Sequence, residues 1–134
     1  DFYDDYAHHP TEIKAVLNSI RDVYKKRKLV CVFQPHRYTR VKFLKKEFVT
    51  SFKASDVVLL CPVFSAGEKV KYNFNQYNFG KLISKKSKTQ VINIRDKNEL
   101  RNYIKKNLFH DEMVICMGAG SISSWIREIG KELK

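Results

Sequence analysis

Apolar positions along this chain switch between two spacings. Residues 2–7 read as a short first strand, and continuous runs at residues 29–33, 56–63, 90–94 and 113–117 are rich in apolar and β-branched residues, as strands covered on both faces require. Between them, apolar residues recur every three or four positions. Ile13, Val16, Leu17, Ile20, Val23 and Tyr24 mark one helix. Val41, Leu44, Phe48 and Phe52 mark the next. Residues 76–85 form a weaker helical pattern and 96–107 a further one. From about Ser121, a last helix carries Ile122, Trp125, Ile126, Ile129 and Leu133 on one face.

The boundaries carry their own signals. Pro10 suits a first helical position, and Glu12 can reach back to the helix start as in a capping box. The run Lys25-Lys26-Arg27-Lys28 places cations where the first helix ends, which suits its dipole better than it suits a nuclear-localisation patch. Asp96 and Glu99 are capping candidates for the helix over 96–107. Residues 64–74, with Ser65-Ala66-Gly67-Glu68, read as a long loop.

Strands alternating with amphipathic helices predict an α/β fold: three layers, a mostly parallel sheet with helices on both faces. No repeat, low-complexity stretch or linker divides the chain, so residues 1–134 read as one domain. Right-handed crossovers gather the strand-to-helix loops on one edge. That edge collects residues 5–9, 34–40, 64–68 and 118–120, which hold the unusual polar groups. Ligands of open α/β sheets bind at such edges.

Bulk properties narrow the partners less sharply. The net charge of +12 favours an anionic partner, either nucleic acid, a membrane surface or a phosphorylated small molecule. Lysines spread along helices (Lys45, Lys46, Lys85, Lys86, Lys105, Lys106) are equally a solvated surface. No apolar run approaches the ~20 residues that span a bilayer, and no signal peptide is recognisable. Cys31, Cys61 and Cys116 lie in apolar runs without CxxC spacing, as buried free thiols of a cytoplasmic protein would.

Two polar clusters dominate the candidate chemistry. The first is Asp4-Asp5-Tyr6-Ala7-His8-His9-Pro10-Thr11-Glu12, and the second Gln34-Pro35-His36-Arg37-Tyr38-Thr39-Arg40. Arg37 and Arg40, three apart at a helix start, can grip a carboxylate or phosphate, with the helix dipole and His36 adding to the anion site. Asp4 and Asp5 point to opposite sides of a strand, so one structural and one hydroxyl-binding role is expected. His8 and His9, with His36 or His110, lack the spacing of a zinc site. Gly118-Ala119-Gly120-Ser121 is half a dinucleotide fingerprint and reads as a tight turn. No GxxxxGK(S/T) loop, G-x-S-x-G elbow or exposed polar cysteine occurs.

The first cluster, then Phe33 to Arg40, then Val63-Phe64-Ser65-Ala66-Gly67-Glu68 and Gly118-Ala119-Gly120-Ser121-Ile122, resemble in order and spacing the carboxyl-terminal domain of Mur ligases. Among these, the alanine-adding member of peptidoglycan synthesis is the most similar. The resemblance implies a Rossmann-like sheet of about six strands. It also implies two further domains outside this chain: an amino-terminal one for UDP-N-acetylmuramate and a central ATPase domain that binds most of the ATP and Mg2+. Asp5 matches the position near the ATP ribose, and Tyr6 one near adenine or amino acid. His8, His36, Arg37 and Arg40 match the lining of the L-alanine site, with Asp4 and Glu68 as further candidates. No catalytic residue and no metal ligand is expected in this domain alone, nor a nucleic-acid or membrane partner. Val41 and Phe64 depart from the threonine and tyrosine common in relatives. The rival is a stand-alone basic module for nucleic acid or another anion, suggested by Tyr38, Tyr72 and Tyr77 among lysines. No RRM, OB or helix-turn-helix pattern supports it.

Overall fold

Buried parallel strands need a crossover between each pair, and the chain supplies a helix every time. A computed structural model describes residues 2–69, 73–108 and 111–132. Its strands are β1 (Phe2–Asp5), β2 (Leu29–Phe33), β3 (Val57–Leu60), β4 (Gln90–Asn93) and β5 (Met113–Met117). Its helices are α1 (Pro10–Val23), α2 (Tyr38–Phe43), α3 (Lys45–Val49), α4 (Gln76–Ser87), α5 (Lys97–Asn107) and α6 (Ile122–Glu132). The strands form one sheet in the order β1-β5-β2-β3-β4, with every pairing parallel. The five strands fall where the sequence places them, β2 to β5 on apolar runs and β1 at the short first strand; the resemblance implies about six.

The order explains the layers. From β1 to β4 the chain steps in one direction across the sheet, and the helices on those steps share one face. There Ile13, Leu17, Val41, Phe48, Phe52, Phe79 and Ile83 pack on Leu29, Cys31, Phe33, Val58 and Ile115. The step from β4 back to β5 reverses direction, so a right-handed crossover puts α5 on the opposite face. Leu100 and Ile104 of α5 pack there with Ile122, Ile126 and Ile129 of α6 over Val30, Val32, Leu59, Val114 and Cys116. The three cysteines are buried free thiols, and burial pushes each thiol upward.

Most predicted boundaries shorten by a few residues, and two expectations change. The helix expected from Val41 to Phe52 breaks at Leu44 into α2 and α3. Neither proline nor glycine marks the break, so the uninterrupted apolar spacing hid it. The basic run 25–28 lies beyond α1, not in its last turn; the cation of that turn is Arg21. Arg21 donates to the carbonyls of Ala54 at 2.9 Å and Arg27 at 2.7 Å and pairs with Asp56 at 2.7 Å. Asp56 also accepts the Leu29 N–H at 2.8 Å, so this pair ties α1 to the amino edge of the sheet. As expected, Pro10 opens α1, Glu12 accepts the His9 N–H at 3.1 Å, and Asp96 accepts the Glu99 N–H at 2.8 Å. Leu133 and His110 lie outside the described residues, as does Tyr72.

The carboxyl edge beyond β3 and β4 is closed by one side chain. Gln76, at the start of α4, donates its amide to the Leu60 carbonyl at 2.8 Å and the Ile94 carbonyl at 3.0 Å. Replacing that donor with a carboxylate sets a charge against two carbonyls. Gln76→Glu is expected to destabilise the fold by ~2 kcal/mol or more at neutral pH, and by less near pH 4, where a protonated carboxyl again donates. Urea unfolding of both proteins at the two pH values measures this.

Candidate functional site at the carboxyl edge

β5 lies between β1 and β2 but sends its chain to the opposite face, so the ends of these three strands frame a crevice. The crevice is built tightly. The Gln34 N–H donates to the Met117 carbonyl at 3.0 Å, and the Gly118 N–H to the Asp5 carbonyl at 3.3 Å. Buried Gln34 then caps α6: its Oε1 accepts the Ile122 N–H at 3.1 Å and its amide lies 3.1 Å from Ser121 Oγ. A Cβ on Gly118 would meet Ile122 at 2.8 Å and the Gln34 carbonyl at 3.1 Å, so only glycine admits the turn.

Beyond the strand ends, His36 and Phe64 extend the β2–β3 pairing as a parallel bridge. The Arg37 N–H donates to the Phe64 carbonyl, and the Phe64 N–H to the Pro35 carbonyl, both at 2.8 Å. The Phe64 ring stacks on the His36 ring with centroids 5.6 Å apart. It also lies on Gly120, where a Cβ would fall 2.4 Å from it. Phe64 thus joins the loops after β2, β3 and β5, a role that no local sequence signal announces.

Two histidines meet in this frame, with ring centroids 5.8 Å apart. Arginine can only donate, so the 3.1 Å contact between Arg40 Nη1 and His36 Nδ1 makes Nδ1 the acceptor and leaves the proton on Nε2. His8 has the other tautomer: its Nδ1 lies 2.7 Å from the Tyr6 carbonyl and donates to it, leaving Nε2 as an acceptor. Desolvation, then Arg40, His8 and Arg37, hold the His36 pKa below the ordinary histidine value, against a smaller opposing effect of Glu68. A neutral His36 with its Nε2–H as donor therefore stands beside the His8 ring and next to a guanidinium.

The expected arginine pair is divided. Arg40 turns back onto His36, bonding its ring and, at 3.3 Å, its carbonyl. Arg37 is exposed, and its guanidinium makes no hydrogen bond among the described residues. The expected helix-dipole anion site is taken by Glu68. Its Oε1 accepts the N–H groups of Tyr38 at 2.6 Å and Thr39 at 3.3 Å, and its Oε2 the Thr39 hydroxyl at 2.5 Å. That hydroxyl bond, with the two N–H bonds and Arg37, holds the Glu68 carboxyl below the usual range. Arg37 itself has φ 71° and ψ 135°, a conformation that costs a non-glycine residue ~1–3 kcal/mol.

The first cluster spreads more widely. Asp5 closes a local turn, accepting the Ala7 N–H at 2.8 Å on Oδ1; its Oδ2 has no partner among the described residues and is free to accept a hydroxyl. Asp4 accepts the Ser123 hydroxyl at 3.1 Å. Tyr6 is 73% exposed, and His9 stands at the N-cap of α1. The protein's own groups take part of each helix start at this edge: Glu12 accepts the His9 N–H, Glu68 the Tyr38 and Thr39 N–H groups, and Gln34 the Ile122 N–H. Among the described residues, no three His, Cys, Asp or Glu side chains gather as a metal site needs.

Fold and edge together define an α/β domain that presents a polar and cationic ligand surface at a sheet switch point. A family model described as "Mur ligase, glutamate ligase domain" matches residues 1–120, and the chain belongs to that family. The UDP-N-acetylmuramate–L-alanine ligase of Pelagibacter ubique is 52% identical over 129 residues, covering 96% of this chain and 28% of that protein. The enzyme of the same name from Fusobacterium nucleatum is 42% identical over 131 residues, covering 98% and 27%. The chain thus spans little more than a quarter of the length of these relatives. Among solved structures, UDP-N-acetylmuramate–alanine ligase from Thermotoga maritima superposes with a TM-score of 0.74 at 22% identity, over 98% of this chain and 26% of that one. A domain from a Haemophilus ducreyi protein, described as a UDP-N-acetylmuramate:L-alanyl-γ-D-glutamyl-diaminopimelate ligase, does so at 0.70 and 20% identity, over 99% and 90%. These two likenesses concern the fold.

Two measurements probe the frame. Arg37→Gly removes the backbone strain and is expected to stabilise the fold by ~1 kcal/mol in urea unfolding, whereas Arg37→Ala leaves it unchanged. The lowered His36 pKa means that the unfolded chain takes up a proton first as pH falls. Stability contributed by neutral His36 is therefore full above the unfolded pKa and is lost below it. Relative to His36→Gln, the parent protein is expected to lose stability between pH 7.5 and pH 5, and the His36 ring to titrate by NMR below the ordinary histidine value.

Proposed function

We propose that this chain is the carboxyl-terminal, closing domain of a cytoplasmic ATP-dependent ligase that joins L-alanine to UDP-N-acetylmuramate in peptidoglycan biosynthesis. The observation that carries this reading is the 52% identity, over 96% of the chain, to a protein of that name. In the parent protein, an amino-terminal domain would hold the UDP-sugar and a central domain most of the ATP and Mg2+. ATP supplies the phosphoryl group that activates the sugar's carboxylate when bound. This domain supplies orientation.

On this reading Arg40 and Arg37 receive the carboxylate of L-alanine, the first held by His36 and the second extended to solvent. His36 Nε2–H adds a neutral donor, and His8 Nε2 accepts from the amino group. Asp5 Oδ2 receives a ribose hydroxyl, with Tyr6 beside the adenine or the amino acid. Asp4, bonded to Ser123, supports β1 against α6. No residue here carries out a covalent step, so the domain alone is expected to be inactive.

The test uses the ligase expressed from its whole reading frame. Losing a charge-assisted hydrogen bond costs roughly 1.5–3 kcal/mol, so Arg40→Ala is expected to raise the KM for L-alanine about tenfold or more. The KM for ATP should stay within about twofold, since the loss is confined to the amino-acid site. An unchanged alanine KM would overturn the assignment of Arg40, and a ligase that adds a different amino acid would overturn the substrate.

A further inference from the structure

We propose that the turn from Phe64 to Glu68 is a latch that fixes the amino-acid site, with Glu68 a positioning residue. This inference rests on the reading above.

The argument begins at Arg37. Its φ of 71° is unfavourable for any side-chain-bearing residue, so the conformation persists only if neighbours impose it. The bonds to its N–H and to the N–H groups of the next two residues come from this one turn. On one side, the Phe64 carbonyl takes the Arg37 N–H, while the Phe64 N–H binds the Pro35 carbonyl. On the other, Glu68 takes the N–H groups of Tyr38 and Thr39 and the Thr39 hydroxyl. The Phe64 ring meanwhile stacks on His36, which holds Arg40. The turn therefore sets the placement of His36, Arg37 and Arg40 at once.

Glu68 is turned toward the protein: its two oxygens accept the Tyr38 and Thr39 N–H groups and the Thr39 hydroxyl, and its charge would repel the carboxylate end of an amino acid. The turn is itself strained and closed, with Ala66 at φ 53°, Gly67 at φ 87° and the Glu68 N–H on the Ser65 carbonyl at 3.0 Å. A Cβ at Gly67 would meet nothing within 4 Å, so Gly67→Ala disturbs the turn through its backbone alone.

Hydrogen exchange and kinetics on the intact ligase test the latch. In Glu68→Gln, exchange of the peptide covering residues 36–41 should accelerate, and the KM for L-alanine should rise about five- to tenfold with that for ATP unchanged. Gly67→Ala should do the same more weakly and serves where Glu68→Gln fails to fold. Thr39→Val should follow Glu68→Gln, and Thr39→Ser should restore the parent values. Unchanged exchange in Glu68→Gln overturns the latch. Faster exchange with an unaltered alanine KM overturns its link to the amino-acid site. A parent enzyme with no alanine-dependent turnover would sink the substrate reading instead, while the exchange result still decides whether Glu68 holds the turn.

Discussion

Everything at the functional edge depends on β5 lying between β1 and β2. The position makes β5 the shared hydrogen-bond partner of both neighbours, from Phe2 opposite Val114 to Phe33 opposite Met117. The chain also leaves β5 on the opposite side from β1 and β2, where α6 packs. Two consequences follow. The crevice opens where the flanking chains part. The backbone groups left there must find partners without a continuing strand. Gly118 meets the second need by letting the chain pass within reach of Gln34, and Gln34 completes it by capping α6. Gln76 does the equivalent work for β3 and β4. Side-chain amides, one buried and one half-buried, thus finish the strands in place of loop backbone.

Periodicity made the layers and the convergent edge legible in the sequence, because burial on two faces leaves a strong apolar signature. The edge's internal wiring was not legible. Gln34 reaches Ser121 and Ile122 across nearly ninety positions of sequence, and no local pattern encodes such a pairing. Phe64 stood out in the sequence only as a departure from the tyrosine of relatives, and nothing local paired its ring with Gly120, whose turn it fills. The arginine expectation shows the limit most clearly. Spacing placed Arg37 and Arg40 on one face of a helix start and left its dipole free for a ligand. Glu68, about thirty residues further on, takes that helix start, and Arg40 turns back onto His36 while Arg37 stays exposed.

Charge gives the final step of the argument. A surplus of +12 suggests an anion site wherever a helix begins at the edge, yet the helix starts around the crevice are bonded by the protein's own groups. What remains available is a set of side-chain groups: the Arg37 guanidinium, the Arg40 N–H groups that His36 does not take, Nε2 of His8 and His36, and one oxygen of Asp5. Such groups suit a small zwitterion and a sugar hydroxyl, whose charges are few and directional. A triphosphate needs many convergent N–H donors or a metal, which this edge does not assemble. On the proposed reading the division of labour follows from that difference. The domain that closes over the site brings orientation to a small nucleophile, and it leaves the large charge to a partner domain with a cradle of its own.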